Sequence, residues 1–509
     1  MIKLKCNKKI FWDTGTLLFS NIAVKGLGFV YRVMLVRLLG SEGIGLVEMS
    51  GPLFSFLLVL SGLGLQTAMT QRIAKNPEKR FLFLSTARAM LLCSGLLVSI
   101  LAYIAAPLLI RIAAPDQRVL PSFLAILPAI PIISFASAYR GYLQGLRRMK
   151  PIAASQNLEQ LSRSLLGLFL AKKLLEKPLE MAAAAPSLAT VFGEAAGLLL
   201  LLLCLPQKAK SAAAERQKFS LGRCLRAGRE MLTYGLPLTA GRLASSGITM
   251  LQAMLIPACL QKAGWDMAAA TSLYGQFSGV ALALLHLPGV FTSALSTVIM
   301  PAVAESSGKS AHNNALLQHR IRASLRATIF CTVPGMLLLY IFAEPYCILI
   351  FDKAPAAPLL RILSLGGIFF YLQISLCSIL QGMGEVRRLL CNSLISGGIL
   401  LLGIRLLAAA PSFGIAGAAI ACSISWLSAF LLNAFFLRKK CGFSLGLAKM
   451  SLPPLLAAAG SLLLYKLGAE ELSTWLPLTK ISTTLIQSMT VVLIYVLLLF
   501  LYKQINLRK

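Results

Sequence analysis

Apolar runs of about twenty residues recur along the whole of this chain, and each is long enough to cross roughly 30 Å of hydrocarbon as a helix. A backbone inside a bilayer must satisfy its own hydrogen bonds, which leaves helices or a closed barrel. A barrel would read as alternating segments of about ten residues, and these runs do not alternate. The expected fold is therefore an all-α polytopic membrane protein. Charged residues make up 13% of the 509 positions, about half the usual share of a soluble domain.

The runs resolve into fourteen expected spans: 14–39, 46–70, 83–107, 119–146, 152–171, 181–205, 231–258, 269–302, 326–344, 357–383, 390–410, 415–437, 450–468 and 481–502. An even number puts both termini on one side. If that side is the cytoplasm, the inward segments (among them "QRIAKNPEKR", "RRMK" and "RKK"), with Arg326 at a boundary, hold 31 of the 49 basic residues. The outward segments hold about eight. Lys and Arg collect in cytoplasmic loops, so both termini are expected to be cytoplasmic.

The longest connection, 206–230, is basic and falls near the middle. It separates an expected N-lobe of six spans (1–205) from a C-lobe of six (231–437). Two further spans and a tail occupy 438–509. The stretch "KFSLGRCLRAGREML" could lie along the membrane surface as a helix. The halves echo one another. Leu143-Gln144-Gly145 and Leu380-Gln381-Gly382 each precede an Arg pair, 237 positions apart, and Gly62 and Gly289 are 227 apart. Both separations cross six spans, so the repeats run in the same orientation, as in transporters built from parallel halves.

The net charge of +31 would point to nucleic acid in a soluble chain. Here the loop bias accounts for it, and no nucleic-acid motif is present. The eleven cysteines show no CxxC spacing and sit mostly in apolar runs, so they read as small buried hydrophobes rather than a disulfide or zinc framework. No Walker A loop, GxGxxG, HExxH or GxSxG motif occurs. Neither an enzyme nor a cofactor is expected.

The stretch 21–40, "NIAVKGLGFVYRVMLVRLLG", lies in the first span, yet it holds Lys25, Arg32 and Arg37 and no acid. A Lys or Arg at mid-bilayer costs at least about 2.5–3.5 kcal/mol on insertion scales, so such residues normally face a bundle interior or a wet cavity. Lys25 and Arg32, seven apart, share a helix face. Arg37 lies round the helix near the outer end, where snorkelling to the headgroups is the blander reading. Only Glu48, Glu159 and Glu194 are clearly intramembrane acids. Glu159 stands four residues before Arg163, the favourable order for an intrahelical pair, which is expected to be structural. Glu48 could meet Arg37, and Glu194 is unassigned. Arg242 lies deep in the seventh span, His286 reads as a satisfied core residue, and Arg140 reads as a snorkelling cation near a span end.

Lys25, Arg32 and Arg242 thus outnumber the acids left to neutralise them. They occupy the first spans of the two halves. If the halves face each other, these cations would line one cavity suited to an anionic substrate, with phosphate or pyrophosphate as the counter-charge. The plainer alternative is that they pair with acids on other spans and serve packing. Gly26, Gly28, Pro237, Gly241 and Pro288 interrupt spans one, seven and eight. Interrupted spans suit a carrier with a central site, although Gly and Pro are common in membrane helices generally.

Residues 26–75, "GLGFVYRVMLVRLLGSEGIGLVEMSGPLFSFLLVLSGLGLQTAMTQRIAK", and 142–153, "YLQGLRRMKPIA", resemble the stage V sporulation protein B and polysaccharide-biosynthesis transporters. These belong to the multidrug/oligosaccharidyl-lipid/polysaccharide exporter superfamily, which includes the lipid II flippases. The resemblance implies two pseudo-symmetric six-helix lobes, two C-terminal helices forming a groove for a lipid tail, and a bacterial cytoplasmic membrane. The implied substrate is an undecaprenyl-pyrophosphate-linked saccharide, a lipid-linked anionic oligosaccharide moved among membrane lipids and handed to cell-envelope synthesis enzymes. Lys25 and Arg37 match the family's basic positions on span one. Arg32 stands one position off that pattern, and Arg242 fits the basic position on span seven approximately. Glu48, Glu159, Arg163 and Glu194 remain candidates for coupling or for structure. Two rival readings are a drug or organic-cation antiporter of the same superfamily, which would need acids in its cavity, and a non-transporting membrane scaffold.

Overall fold

The computed structural model describes residues 2–205, 221–289, 311–442, 446–475 and 480–507, with positions 292, 295, 299, 300 and 303 between them. Among the described residues every regular element is helical and none is a strand. Eleven helical stretches are at least 18 residues long and apolar enough to cross a bilayer.

The first helix, α1, runs over Ile2–Gly62 but has non-helical backbone at Gly40 (φ 71°, ψ −179°). That conformation costs about 1–3 kcal/mol in an ordinary residue and little in glycine. The chain therefore bends there, between the first two apolar runs. Then follow α2 (Leu65–Lys75), α3 (Arg80–Ala113), α4 (Leu120–Ile126), α5 (Ala129–Gly145), α6 (Lys150–Lys173) and α7 (Leu179–Leu203).

Residues 206–220 of the expected linker lie outside the described residues. From Leu221 the chain is helical without a break to Lys262 (α8). The second part of the expected surface helix is thus the opening of a span-length helix, a correction that follows from its unbroken backbone hydrogen bonding. Helix α9 covers Met267–Gly275, and the chain continues through a wide-turned segment, Gln276–Ala281.

Packing divides the chain into two compact units, 1–258 with 266–275, and 259–265 with 276–509. The core of the first gathers Leu65, Met69, Phe83, Tyr139, Tyr142, Leu143 and Met231 from α2, α3, α5 and α8. Small polar residues bring its helices close: Ser61 shares a 2.9 Å hydrogen bond with Ser134, and Ser94 donates to the Ser61 carbonyl at 2.7 Å. Such residues are favoured between membrane helices because apolar burial supplies no drive there.

The second unit holds α10 (Ala311–Ile341), α11 (Ala357–Gly382), α12 (Val386–Gly403), α13 (Gly414–Cys441), α14 (Leu447–Trp475) and α15 (Lys480–Leu507). Its core joins Ile321, Leu325 and Ile329 of α10 to Leu376 and Ile379 of α11, with Ala457 of α14 and Tyr495 of α15. The last two helices are thus packed parts of this unit. Asn392 donates to Asn433 at 2.8 Å, a polar link between α12 and α13.

Two lesser expectations change. His286 is exposed and lies 5.4 Å, centroid to centroid, from Phe370, because its turn sits at the surface of the unit. Of the cysteines, Cys259, Cys347 and Cys422 are buried, while Cys93, Cys204, Cys331 and Cys391 are exposed. An apolar run in a membrane helix has a lipid-facing side as well as a packed one.

Candidate functional site

Charged residues of the first unit form three arrangements, two of them built from residues singled out in the sequence. The first is on the bent helix itself. The bend at Gly40 turns the second limb of α1 so that Glu48 reaches back to Arg32, 2.6 Å from Nη2 to Oε1. The sequence allows Glu48 to meet Arg37; in the structure it pairs with Arg32 instead. Sixteen residues of straight helix would separate Arg32 from Glu48 by about 24 Å, so only the bend permits the observed pair. Arg32 is consequently neutralised, which lowers the expected excess of cations by one. Lys25 and Arg37 lie exposed on the same limb.

Arg32 and Glu48 form one wall of a cavity of about 290 Å³ whose lining mixes apolar side chains with a few polar ones. Gly28 and Tyr31 of α1, Gln160 and Arg163 of α6, and Thr190 of α7 complete the lining that matters chemically.

The second arrangement is a ring of four charges. The intrahelical pair read from the sequence is present, with Arg163 Nη2 2.8 Å from Glu159 Oε1. The same nitrogen lies 3.1 Å from Glu194 Oε1. Arg140 Nη2 closes the ring, 2.9 Å from Glu159 Oε2 and 3.3 Å from Glu194 Oε2. Each carboxyl group therefore lies within hydrogen-bonding distance of both guanidiniums. The side chains are largely buried, Glu194 at 6% and Arg140 at 13% exposure. This corrects the reading of Arg140 as a snorkelling cation, since α5 holds it inside the unit. It also supplies Glu194 with its missing partners. The sequence held a usable signal: Gly193 and Gly197 flank Glu194 with the GxxxG spacing that lets membrane helices touch. A Cβ on Gly193 would lie 2.9 Å from the Glu159 carbonyl oxygen, and Ser155 donates to the Gly197 carbonyl at 3.0 Å.

The third arrangement escaped the sequence reading. Asp116, with a fully buried side chain, accepts from the Arg118 backbone N–H at 3.0 Å, from Arg118 Nη2 at 2.9 Å and from Thr271 Oγ1 at 2.8 Å. Arg118 Nη1 is also 2.6 Å from Glu42 Oε1. This cluster ties the bend at Gly40 to the connection between α3 and α4 and to α9. Its visible hint is an Asp that caps the helical turn Gln117–Val119, which starts at the next residue and leads into α4.

Arg242 is exposed on α8, with Nη2 3.5 Å from Thr67 Oγ1 of α2. Just below it the two segments nearly touch. Leu63 and Gly64 both have positive φ, and a Cβ on Gly235 would lie 2.5 Å from the Leu63 carbonyl oxygen. Arg72 Nη1 pairs with Glu230 Oε1 at 2.8 Å at the same junction. Among the described residues no cluster of three or more His, Cys, Asp or Glu side chains could hold a metal ion.

The pattern of the polysaccharide biosynthesis protein family matches residues 11–307, and that of the MatE family matches residues 278–406. Stage V sporulation protein B of Bacillus subtilis (strain 168) is 30% identical over 448 residues, which cover 86% of this chain and 86% of that one. The lipid II flippase MurJ of the same organism is 21% identical over 478 residues, 86% of this chain and 84% of that one. A solved structure of the lipid II flippase MurJ in an inward closed conformation superposes with a TM-score of 0.70 at 16% identity. It covers 97% of this chain and 99% of that one, a likeness of fold.

Proposed function

The chain belongs to the polysaccharide biosynthesis protein family, and from that premise we propose that it is a flippase for an undecaprenyl-pyrophosphate-linked saccharide. It is a multi-pass membrane protein of a transporter family and not an enzyme. The saccharide, a lipid II or polysaccharide precursor, would move from the cytoplasmic to the outer leaflet of a bacterial cytoplasmic membrane by alternating access. Two six-helix lobes would rock about the headgroup, and α14 and α15 would hold the lipid tail.

This reading takes the chain as fourteen spans. Counting the two limbs of α1 separately, and adding α6 and α14, brings the eleven apolar stretches to fourteen. Helix α6 falls short on hydropathy because it carries Glu159, Gln160 and Arg163. The basic inward loops support cytoplasmic termini.

The observation that carries the substrate class is the placement of cations. Lys25 and Arg37 on α1 and Arg242 on α8 are exposed at span positions of one compact unit. A pyrophosphate accepts charge-assisted hydrogen bonds from such groups. Arg32 is held by Glu48 and would position the limb rather than carry the headgroup alone. An inside-negative potential favours outward movement of anionic charge by about 2.3 kcal/mol per charge per 100 mV.

Purified protein should bind lipid II or another undecaprenyl-pyrophosphate sugar, and Lys25→Ala/Arg242→Ala should weaken that binding at least about tenfold, given charge-assisted bonds of about 1.5–3 kcal/mol each. Equal binding by the double variant would remove the headgroup assignment. The MatE match favours one second reading, a cation antiporter. Against it, both carboxylates of the buried ring are already answered by arginines. Binding of a cationic dye, displaced at acid pH, with no binding of the lipid, would favour that reading.

A further inference from the structure

The opening turns of α8 and the adjoining part of α3 enclose a groove of about 690 Å³ that no step of the proposed transport uses. Its walls are apolar: Ala89 and Met90 on α3, Leu225, Leu232 and Leu236 on α8. The three leucines fall seven and four residues apart, so they form one stripe along the helix. Gly228 makes the floor, where a Cβ would lie 3.1 Å from the Met90 sulfur.

Two features distinguish this groove from an ordinary lipid-facing surface. Thr86 lines it with a side chain only 6% exposed, and its buried hydroxyl has no hydrogen-bond partner among the described residues. A buried polar group without a partner is costly, and an acceptor placed in the groove would satisfy it. The second feature is a graded line of cations. Arg229 lines the groove, and Arg226 and Arg223 follow at three-residue steps, all exposed. At about 100° per residue each step turns roughly 60° away from the leucine stripe and moves about 4.5 Å toward the helix start. Among the described residues none of the three meets a carboxylate. Apolar side chains deep in the groove with cations at its lip make the pattern of a site for an amphipathic anion.

We propose that this groove binds an anionic phospholipid. One acyl chain lies along Leu225, Leu232 and Leu236, an ester oxygen near the glycerol accepts from Thr86, and the phosphate is held by Arg229 and Arg226. The site is distinct from the headgroup cations Lys25, Arg37 and Arg242 and does not depend on their assignment.

The test is native mass spectrometry of the full-length protein, titrated with phosphatidylglycerol and with phosphatidylcholine of identical acyl chains. The wild type should retain phosphatidylglycerol with an apparent Kd about tenfold or more below that of phosphatidylcholine, as expected for two arginines near one phosphate. Ala89 is exposed, so Ala89→Phe fills the groove without disturbing the core, and it should abolish retention of both lipids. Arg226→Gln/Arg229→Gln should retain both lipids equally. Wild-type retention in Ala89→Phe, or an unchanged preference in the arginine variant, would overturn the proposal. So would displacement of phosphatidylglycerol by an equimolar amount of undecaprenyl phosphate, which would make the groove a seat for the polyprenyl carrier.

Discussion

Arg140, Glu159, Arg163 and Glu194 show how a membrane interior keeps charges. Each carboxylate accepts from two guanidiniums, so none is left alone in a medium that penalises unpaired ions. Removing one member strands the others. Arg140→Ala should lower stability by about 3 kcal/mol, read by denaturant unfolding in micelles. Arg140→Leu combined with Glu194→Leu should cost less than the sum of the two single changes, because the pair is coupled. Additive costs would mean that the ring does not act as a unit. Only half of this ring was legible in the sequence. Glu159 and Arg163 are four apart on one helix, so spacing alone predicts their contact. Arg140 and Glu194 come from other helices, and which faces meet is decided by Gly193 and Gly197, whose meaning emerges only once α6 and α7 are packed together.

Gly40 acts at the level of the element. The apolar pattern breaks between residues 39 and 46, so the boundary of the first two spans was readable. What could not be read is that a single non-helical residue, Gly40, joins the two helical limbs, and that the bend carries Glu48 to Arg32 instead of Arg37. Gly40→Ala places a side chain at φ 71°, ψ −179°, a conformation nearly confined to glycine, at a cost of about 1–3 kcal/mol. It should also separate the Arg32–Glu48 pair, measured as loss of crosslinking between cysteines placed at these two positions. Undiminished crosslinking would show that the bend does not depend on glycine. The junction of Leu63, Gly64 and Gly235 makes a similar demand. Gly235→Val would drive side-chain atoms into the Leu63 carbonyl, and it should reduce lipid transport severalfold while the protein still inserts. Normal transport by that variant would mean the two segments need not touch during the cycle.

The described residues form span-length helices gathered into two compact units, and the all-helical, multi-span character follows from run length and from the absence of alternation. The lobe boundary that the sequence places in the basic connection 206–230 rests on topology, whereas packing groups Leu221–Ala258 with the preceding helices. Charge bias reports topology, not contacts, so it could not show where α8 packs. Contacts likewise decide what each cation does: Arg32 is held by Glu48, while Lys25, Arg37 and Arg242 are exposed along their helices, where the proposed headgroup contact is placed. The most direct measurement is flipping in proteoliposomes. Reconstituted protein should move an undecaprenyl-pyrophosphate-linked saccharide to the opposite leaflet, detected by an impermeant sugar-modifying enzyme. Lys25→Ala/Arg242→Ala should insert normally and flip none. Transport of the lipid at wild-type rates by that double variant, or none by the wild type, would contradict the account.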